Sequence, residues 1–206
     1  IFGPLKLNSM GFAVKAKDNN SFTTLYTSGL FSRDGEIIGA AGVNPADLMF
    51  SKELRQIDPY LKSPYQSNTS KLYDGGSGLV SNIDDYAQFA LMLMNKGELN
   101  GVRILSESSV ELMSKNHLSD SVLSDGAAFG LDGIGFGLTM AVVKDAGRAG
   151  TYSTNGEFSW GGAASTTFWV DPVNQLTAVM MTQYMPSDKY PLREDLKTLI
   201  YSGLSN

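Results

Sequence analysis

The chain has 206 residues, of which 42% are hydrophobic and 10% aromatic, so it can form one sizeable domain or one large piece of a bigger domain, and it is not a disordered chain. Its 16 Lys and Arg residues against 21 Asp and Glu residues give a net charge of −5, which argues against a nucleic-acid partner and against a polybasic lipid-binding surface. The lack of cysteine and the single histidine, His117, exclude disulfides, thiol catalysis and metal sites built from Cys or several His, and no apolar run reaches the roughly 18–20 residues of a membrane helix.

The first 80 residues are rich in turn-forming sequences. Between the turns, short strands are predicted at Ser21–Tyr26 and Glu36–Ala40, and the polar stretch Ser63–Lys71 is typical of a surface loop. The chain opens at Ile1 with neither an initiator Met nor a signal-peptide pattern. We therefore expect a native protein that begins upstream of this residue.

A first helix is predicted after Ser81, because Ser81 and Asp84 have the spacing of a capping box, a hydroxyl followed three residues later by an acid. Lys96-Gly97 supplies a basic last turn and a glycine stop. Between these ends, apolar residues recur at three- and four-residue intervals and form one stripe. They are Ile83, Tyr86, Ala87, Ala90, Leu93 and Met94.

A second helix is predicted behind Ser106, after a turn at Asn100-Gly101, with Val110 and Met113 on its apolar face and Leu112 at the margin.

From residue 130 onward the sequence changes to strand-like segments separated by turns at Asn155-Gly156 and Asp171-Pro172. Short turns between strands favour an antiparallel sheet, with a last helix packed on one of its faces. We accordingly divide the chain into a loop-rich and helical region, residues 1–128, and a sheet region, residues 129–206. The predicted elements are strands Gly135–Val143, Thr166–Val170 and Thr177–Gln183 and a helix Pro191–Leu204 with Leu192, Leu196, Leu199 and Ile200 on its apolar side.

Several motifs that would carry chemistry by themselves are absent from the sequence. No lysine has a serine three residues before it, and there is no Gly-x-Ser-x-Gly elbow, phosphate-binding loop or His-Glu-x-x-His. The glycines between Gly130 and Gly137 do not have dinucleotide-binding spacing. His117 follows a helix and is interpreted as a helix C-terminal residue, and Asp84-Asp85 as first-turn acids that the helix dipole favours.

Two glycine-rich segments are not explained so simply. Three glycines in Gly75-Gly76-Ser77-Gly78 precede the first helix, where they either pack tightly against a neighbour or line a pocket. In Trp160-Gly161-Gly162-Ala163, adjacent glycines at a strand start expose backbone N–H groups that could form an oxyanion hole, with Trp160 as one side of an acyl pocket. A glycine-permitted bulge at a strand start is the alternative for this segment.

A series of short motifs runs along the whole chain. In chain order, the motifs are Ile1-x-x-Pro4-Leu5, Gly75-Gly76-Ser77-Gly78-Leu79-Val80-Ser81 with Asp85-Tyr86-Ala87-x-Phe89, Gly97-Glu98-Leu99-Asn100-Gly101-Val102-Arg103-Ile104-Leu105-Ser106, Gly133-x-Gly135-Phe136-Gly137-Leu138, Trp160-Gly161-Gly162-Ala163 and Trp169-Val170-Asp171-Pro172. The series resembles the C-terminal portion of the β-lactamase-like serine hydrolases, a superfamily that includes class C β-lactamases, D-alanyl carboxypeptidases and family VIII esterases. The resemblance covers essentially the whole chain, although Lys6 and Leu7 replace the usual Gly-Met after the first motif.

The resemblance implies an α+β protein, part of the β-lactamase/transpeptidase-like fold, with a helical region and an antiparallel sheet flanked by a C-terminal helix. It also implies acyl transfer by a serine with a Lys and a Tyr as base, all upstream of Ile1, and no metal or other cofactor. By the same resemblance, the Ala163 N–H is the second oxyanion donor, and Gly76, Ser77 and Gly78 line the opposite side of the pocket.

The departure from the family pattern concerns substrate choice. Trp160-Gly161-Gly162 stands where the lactamases of the family have Lys-Thr-Gly, so the charge that would hold a substrate carboxylate is missing. This favours an esterase acting on short-chain carboxylic esters; the alternatives are a β-lactamase or D-Ala-D-Ala carboxypeptidase-type enzyme on a lactam or peptide, and a non-catalytic binding homologue. We expect the chain to be inactive alone and to need its own N-terminal segment as partner.

Overall fold

The computed structural model describes residues 1–28, 54–56, 73, 75–127, 131–187 and 189–204, and the structural statements below concern these residues. The predicted strand Glu36–Ala40 and the predicted loop Ser63–Lys71 lie outside them. The helices are α1 (Ile83–Met94), α2 (Glu107–Met113), α3 (Asp120–Ala127), α4 (Ala146–Ala149) and α5 (Leu192–Ser202), with a 3₁₀ helix at Ala16–Ser21. The strands are β1 (Tyr26–Thr27), β2 (Arg55–Gln56), β3 (Glu98–Leu99), β4 (Val102–Arg103), β5 (Ile134–Phe136), β6 (Ala141–Val143), β7 (Phe158–Gly161), β8 (Thr167–Asp171), β9 (Leu176–Met180) and β10 (Tyr184–Met185).

The main sheet is antiparallel and has the order β5–β6–β7–β8–β9, which confirms the predicted antiparallel sheet with a flanking last helix. The single strand predicted at Gly135–Val143 is wrong. It is the hairpin β5–β6, closed by a hydrogen bond of 2.7 Å from Gly137 N to Met140 O. Gly137 packs directly on α2, because a Cβ at this position would overlap the carbonyl oxygen of Met113.

Helices cover both faces of this sheet. Side chains along a strand alternate between faces, and in β8 the ring of Phe168 contacts Tyr86 and Phe89 of α1, with centroid distances of 5.4 and 6.5 Å. Trp169 points to the other face, where the ammonium of Lys197 on α5 lies 5.5 Å from its ring centroid. The apolar core therefore lies between α1 and the sheet, and α5 covers the opposite face.

The N-terminal half of the chain corrects two predictions. The strand predicted at Ser21–Tyr26 is wrong, because Ala16–Ser21 is a 3₁₀ helix and only Tyr26–Thr27 pairs as a strand. The cap of α1 is Asn82, one residue after the predicted Ser81; its side chain accepts a hydrogen bond of 2.8 Å from Asp85 N.

α1 ends at Met94, so Lys96 lies beyond the last turn, in the left-handed region at φ 53°. Among the described residues, no helix is long and apolar enough to span a membrane.

α5 contacts the sheet through a polar stripe, which was not predicted. The sequence favoured Leu192, Leu196, Leu199 and Ile200 as the packed side, yet Leu199 is 71% exposed. Arg193, Lys197 and Tyr201 instead occupy every fourth position, so they lie on one face of the helix. All three reach the hairpin formed by β7 and β8. We call Arg193, Lys197 and Tyr201 the α5 polar stripe.

The lower end of this hairpin carries two fully buried carboxylates, Glu157 directly before β7 and Asp171 at the end of β8. Lys197 forms an ion pair with Glu157, and the Tyr201 hydroxyl lies 2.8 Å from Glu157 Oε2 and 2.6 Å from Asp171 Oδ2. Burial is the largest influence on Asp171 and opposes ionisation, but hydrogen bonds from Thr154, Tyr201 and Asn174 outweigh it and lower the pKa of this carboxyl.

Glu157 behaves in the opposite way. Burial raises the pKa of its carboxyl, and the ion pair with Lys197 only partly offsets that effect. The Tyr201 hydroxyl has one hydrogen, so it can donate to only one of the two carboxylates that it contacts. In the other contact, a protonated Glu157 can donate its own hydrogen to the Tyr201 oxygen. The geometry and the direction of the pKa shift therefore agree on a Glu157 that retains its proton to a higher pH than an ordinary glutamate.

We expect Tyr201→Phe to lower the free energy of unfolding by about 1–3 kcal/mol, because it removes a hydroxyl that contacts two buried carboxylates. The matched control is Tyr152→Phe. The exposed ring of Tyr152 stacks on the ring of Tyr201, and this substitution removes a hydroxyl while it keeps the stacked rings. It should stay within about 0.5 kcal/mol of wild type. Denaturant unfolding of the complete protein measures both values, and equal effects of the two variants would contradict the role given to Tyr201.

The raised pKa of Glu157 also fixes the sign of a pH dependence. As pH rises above the ordinary value of 4.5, the unfolded chain loses this proton before the folded protein does, so the free energy of unfolding falls up to the raised folded pKa. We expect Glu157→Gln, which cannot ionise, to remove this part of the fall. Unfolding midpoints of wild type and Glu157→Gln, measured across this pH range, test the expectation. An unchanged slope in Glu157→Gln would contradict the assignment.

Candidate active site

The segment Trp160–Ala163 lies at the upper end of the β7–β8 hairpin. Trp160 and Gly161 are the last two residues of β7, so the prediction that they precede the following strand is corrected. β6 pairs only with Phe158 and Ser159 of β7. On the β6 side, the Trp160–Gly161 half of β7 is therefore a strand edge with no described pairing partner.

Ala163 lies in the tight turn that joins β7 to β8. The turn is closed by hydrogen bonds from Gly162 N to Thr166 O, 3.0 Å, and from Ser165 N to Gly162 O, 3.1 Å. Ala163 is exposed, and its N–H donates to no described residue. An N–H that has no described partner, in a turn closed by two hydrogen bonds, is the kind of donor that stabilises an oxyanion.

The base of this turn is anchored by Ser165, which sequence reasoning did not identify. Ser165 is buried in the left-handed region at φ 64°, and its hydroxyl donates 2.8 Å to Tyr184 O of β10. A serine in this backbone region costs energy, and the buried hydrogen bond offsets that cost. The turn therefore holds one defined shape, although the sequence marks Ser165 only as one polar residue in a loop.

Trp160 is 51% exposed, and its ring packs edge-on against Phe136 of β5 at a centroid distance of 5.3 Å. Trp160 is paired with Phe168 across the hairpin, so both point to the α1 face of the sheet. The structure thus places an aromatic surface, Trp160 with Phe136, beside the Ala163 turn. Phe136 was quoted within a motif but not predicted as a neighbour of Trp160.

Arg193 is the second residue at this turn that the sequence did not predict. It lies on the α5 face, where its Nη2 donates 3.0 Å to Gly162 O and 3.1 Å to Thr166 O. Only its place in the four-residue spacing of the α5 polar stripe could have indicated it, and that spacing is equally typical of a solvated helix face.

The other glycine-rich segment is described only in part. Gly75, Gly76 and Ser77 are exposed and Gly78 adopts φ 86°, a conformation that favours glycine. The loop then joins an antiparallel bridge between Val80 and Gly11. That Gly76, Ser77 and Gly78 face Trp160 across a pocket stays a prediction.

The residues to which the sequence patterns assign no catalytic role have structural roles in the fold. The Nε2 of His117 lies 2.8 Å from Leu112 O at the end of α2, as a helix C-terminal residue should. Asp85 is buried and accepts hydrogen bonds from Ser9 N, 2.6 Å, and Ser9 Oγ, 2.7 Å, which tie α1 to the N-terminal segment. Gly133 adopts φ 73° against Asp145 O rather than opening a phosphate loop. Within the described ranges, no three His, Cys, Asp or Glu side chains are placed to hold a metal ion.

Comparison with known proteins gives two relatives from Mycobacterium tuberculosis. Protein Rv1367c of strain H37Rv is 38% identical to this chain over 119 residues, which are 55% of the chain and 29% of that protein. Uncharacterized protein MT1414 of strain CDC 1551 matches to the same extent. The matched part of the chain therefore spans less than a third of these relatives.

Solved structures share the fold over nearly all of the chain. EstCE1, a hydrolase with promiscuous acyltransferase activity, matches with a TM-score of 0.64 at 22% identity over 98% of this chain and 48% of its own. Simvastatin synthase (LovD) from Aspergillus terreus matches with a TM-score of 0.70 at 19% identity, over 100% of this chain and 49% of its own. A penicillin-binding protein homologue from Caulobacter crescentus matches with a TM-score of 0.62 at 14% identity, over 99% of this chain and 50% of its own. The chain spans about half of each structure.

The sequence as a whole also matches one family model, that of Beta-lactamase, over residues 1–201. This match includes the α1 region, the strand edge with Trp160, the Ala163 turn and nearly all of α5. This chain belongs to the Beta-lactamase family.

Proposed function

We propose that this chain is the C-terminal part of a serine hydrolase that cleaves short-chain carboxylic esters through an acyl-enzyme. The nucleophilic Ser and its Lys and Tyr partners come from the protein upstream of Ile1. The observation that carries the proposal is the N–H of the exposed residue Ala163, which has no described partner and lies in a turn closed by two hydrogen bonds at an open strand edge. Membership of the Beta-lactamase family supports the reaction class.

In the proposed reaction, the upstream serine oxygen attacks the ester carbonyl carbon and gives its proton to the Lys–Tyr base. The carbonyl oxygen becomes an oxyanion, which Ala163 N–H stabilises together with the N–H of the nucleophile. The alcohol leaves with a proton from the same base, and water then hydrolyses the acyl-serine. The part of this chain is to bind the acyl group and to stabilise charge that forms only in the transition state.

The preference for esters over lactams depends on the side chain at position 160. Trp160 is neutral and apolar, and it points to the face away from Arg193. A substrate carboxylate would therefore meet an indole where the resemblance places a lysine ammonium, and would lose hydration without gaining a charge partner.

The test uses the complete protein. We expect turnover of p-nitrophenyl butyrate to exceed that of the chromogenic lactam nitrocefin and of a D-Ala-D-Ala peptide, and a p-nitrophenyl phosphonate to label one serine upstream of Ile1. Faster lactam or peptide turnover would replace the esterase by one of the two alternatives. A folded protein that neither turns over any of these substrates nor reacts with the phosphonate would indicate a non-catalytic binding homologue.

We expect Trp160→Ala to change the acyl-chain preference while the nucleophile stays reactive. Removing one side of an acyl pocket should alter the ratio of kcat/KM for octanoate and acetate esters by about tenfold or more. The matched control is Val173→Ala, which changes an exposed apolar residue in the turn between β8 and β9 and should leave this ratio unchanged. If Trp160→Ala keeps wild-type kinetics for both esters, Trp160 does not belong to the site.

A further inference from the structure

The guanidinium of Arg193 binds the backbone of the Ala163 turn at two points. Its Nη2 carries two hydrogens and lies 3.0 Å from Gly162 O and 3.1 Å from Thr166 O. These two carbonyls stand at the two ends of the turn, and Gly162 N already donates to Thr166 O. Arg193 thus joins the residue after β7 to the residue before β8, at the two ends of the turn that contains Ala163.

One of these carbonyls belongs to the same peptide group as the proposed oxyanion donor. The Gly162 C=O and the Ala163 N–H share one planar peptide unit, and in a trans peptide they point in opposite directions. Arg193 lies on the α5 face and draws the Gly162 oxygen toward that face. The Ala163 N–H is therefore turned toward the opposite face, the one to which Trp160 points.

A charged donor on the carbonyl also changes the N–H itself. Hydrogen bonds to charged groups are stronger than neutral ones, and a bond to the C=O of a peptide polarises its N–H. The Ala163 N–H should be a better donor to a developing negative charge while Arg193 is in place.

The glycine at position 161 has a matching explanation. A Cβ on Gly161 would lie 2.6 Å from Arg193 Nη2 and 2.7 Å from Arg193 Cζ. Such distances are too short for non-bonded atoms, so any larger residue at 161 would displace the guanidinium. The absence of a side chain here is what lets Arg193 reach the turn.

We propose that Arg193 is a positioning residue that orients and polarises the Gly162–Ala163 peptide so that its N–H faces the acyl oxygen of the substrate. The proposal rests on the esterase function proposed above. Arg193 touches neither the substrate nor the reacting atoms in this account, and acts only through the peptide group.

The test compares Arg193→Ala, Arg193→Lys and the control Glu194→Gln, an exposed neighbour on α5, in the complete protein. Since the oxyanion exists only in the transition state, Arg193→Ala should lower kcat by about tenfold to a hundredfold and change KM by less than about twofold. Arg193→Lys should fall between Arg193→Ala and wild type, and added millimolar guanidinium should partly restore Arg193→Ala. Glu194→Gln should behave as wild type.

A double-mutant cycle tests the contact with Gly161. Gly161→Ala alone should lower kcat in the same way, because it displaces the guanidinium. In the Arg193→Ala background, the same substitution should cost much less, since no guanidinium remains to be displaced. Arg193→Ala with wild-type kcat, or fully additive losses in the cycle, would overturn the proposal.

A readout that does not need activity separates this proposal from the esterase itself. Hydrogen exchange at the amides of Gly162 and Ser165, which close the turn, should speed up at least tenfold in Arg193→Ala and not in Glu194→Gln. If wild type turns over no ester but exchange responds as expected, the proposed function fails while Arg193 still positions the turn. Unchanged exchange would refute the positioning role whatever the activity.

Discussion

The structure depends on one helix face that binds both ends of one hairpin. The α5 polar stripe reaches the Ala163 turn through Arg193 and, one and two helical turns later, the buried carboxylates at the opposite end through Lys197 and Tyr201. Lys197 and Tyr201 satisfy the buried Glu157, and Tyr201 joins Thr154 and Asn174 in satisfying the buried Asp171. The same contacts that fix α5 on the sheet therefore fix the strand edge and the turn on which the proposed chemistry relies.

The two faces of the hairpin have different tasks. Phe168 and Phe158 pack into the apolar core beneath α1, and Trp160 points to the same side but remains half exposed at the strand edge. On the other side, Gly161 leaves room for a guanidinium. Alternation along β7 thus places Trp160, which we propose contacts the acyl group, and the guanidinium of Arg193 on opposite faces of the hairpin. This division explains how a chain with a cation next to its candidate site can still present a neutral surface to the substrate.

The sequence predicted the features that depend on local patterns and missed those that depend on distant contacts. Short-range sequence signals predicted the cap of α2 at Ser106, the turns at Asn100-Gly101 and Asn155-Gly156, and the antiparallel sheet. The structure has all of these features. The apolar side predicted for α5 is wrong at Leu199, because the leucines give the stronger periodic signal. Lys197 and Tyr201 are instead held on the sheet by Glu157 and Asp171, 30 or more positions away in sequence. The Trp160 segment was selected as a site from composition, but Arg193 was not, since nothing local links it to Gly162.

The most direct test of this account is a crystal structure of the complete protein after reaction with a p-nitrophenyl phosphonate, whose tetrahedral adduct mimics the transition state. The account predicts the phosphonyl oxygen about 2.7–3.1 Å from Ala163 N, with Gly162 O still bound by Arg193 and the substituent against Trp160. An adduct whose oxygen is held by other N–H groups, with Ala163 N–H facing solvent, would contradict it.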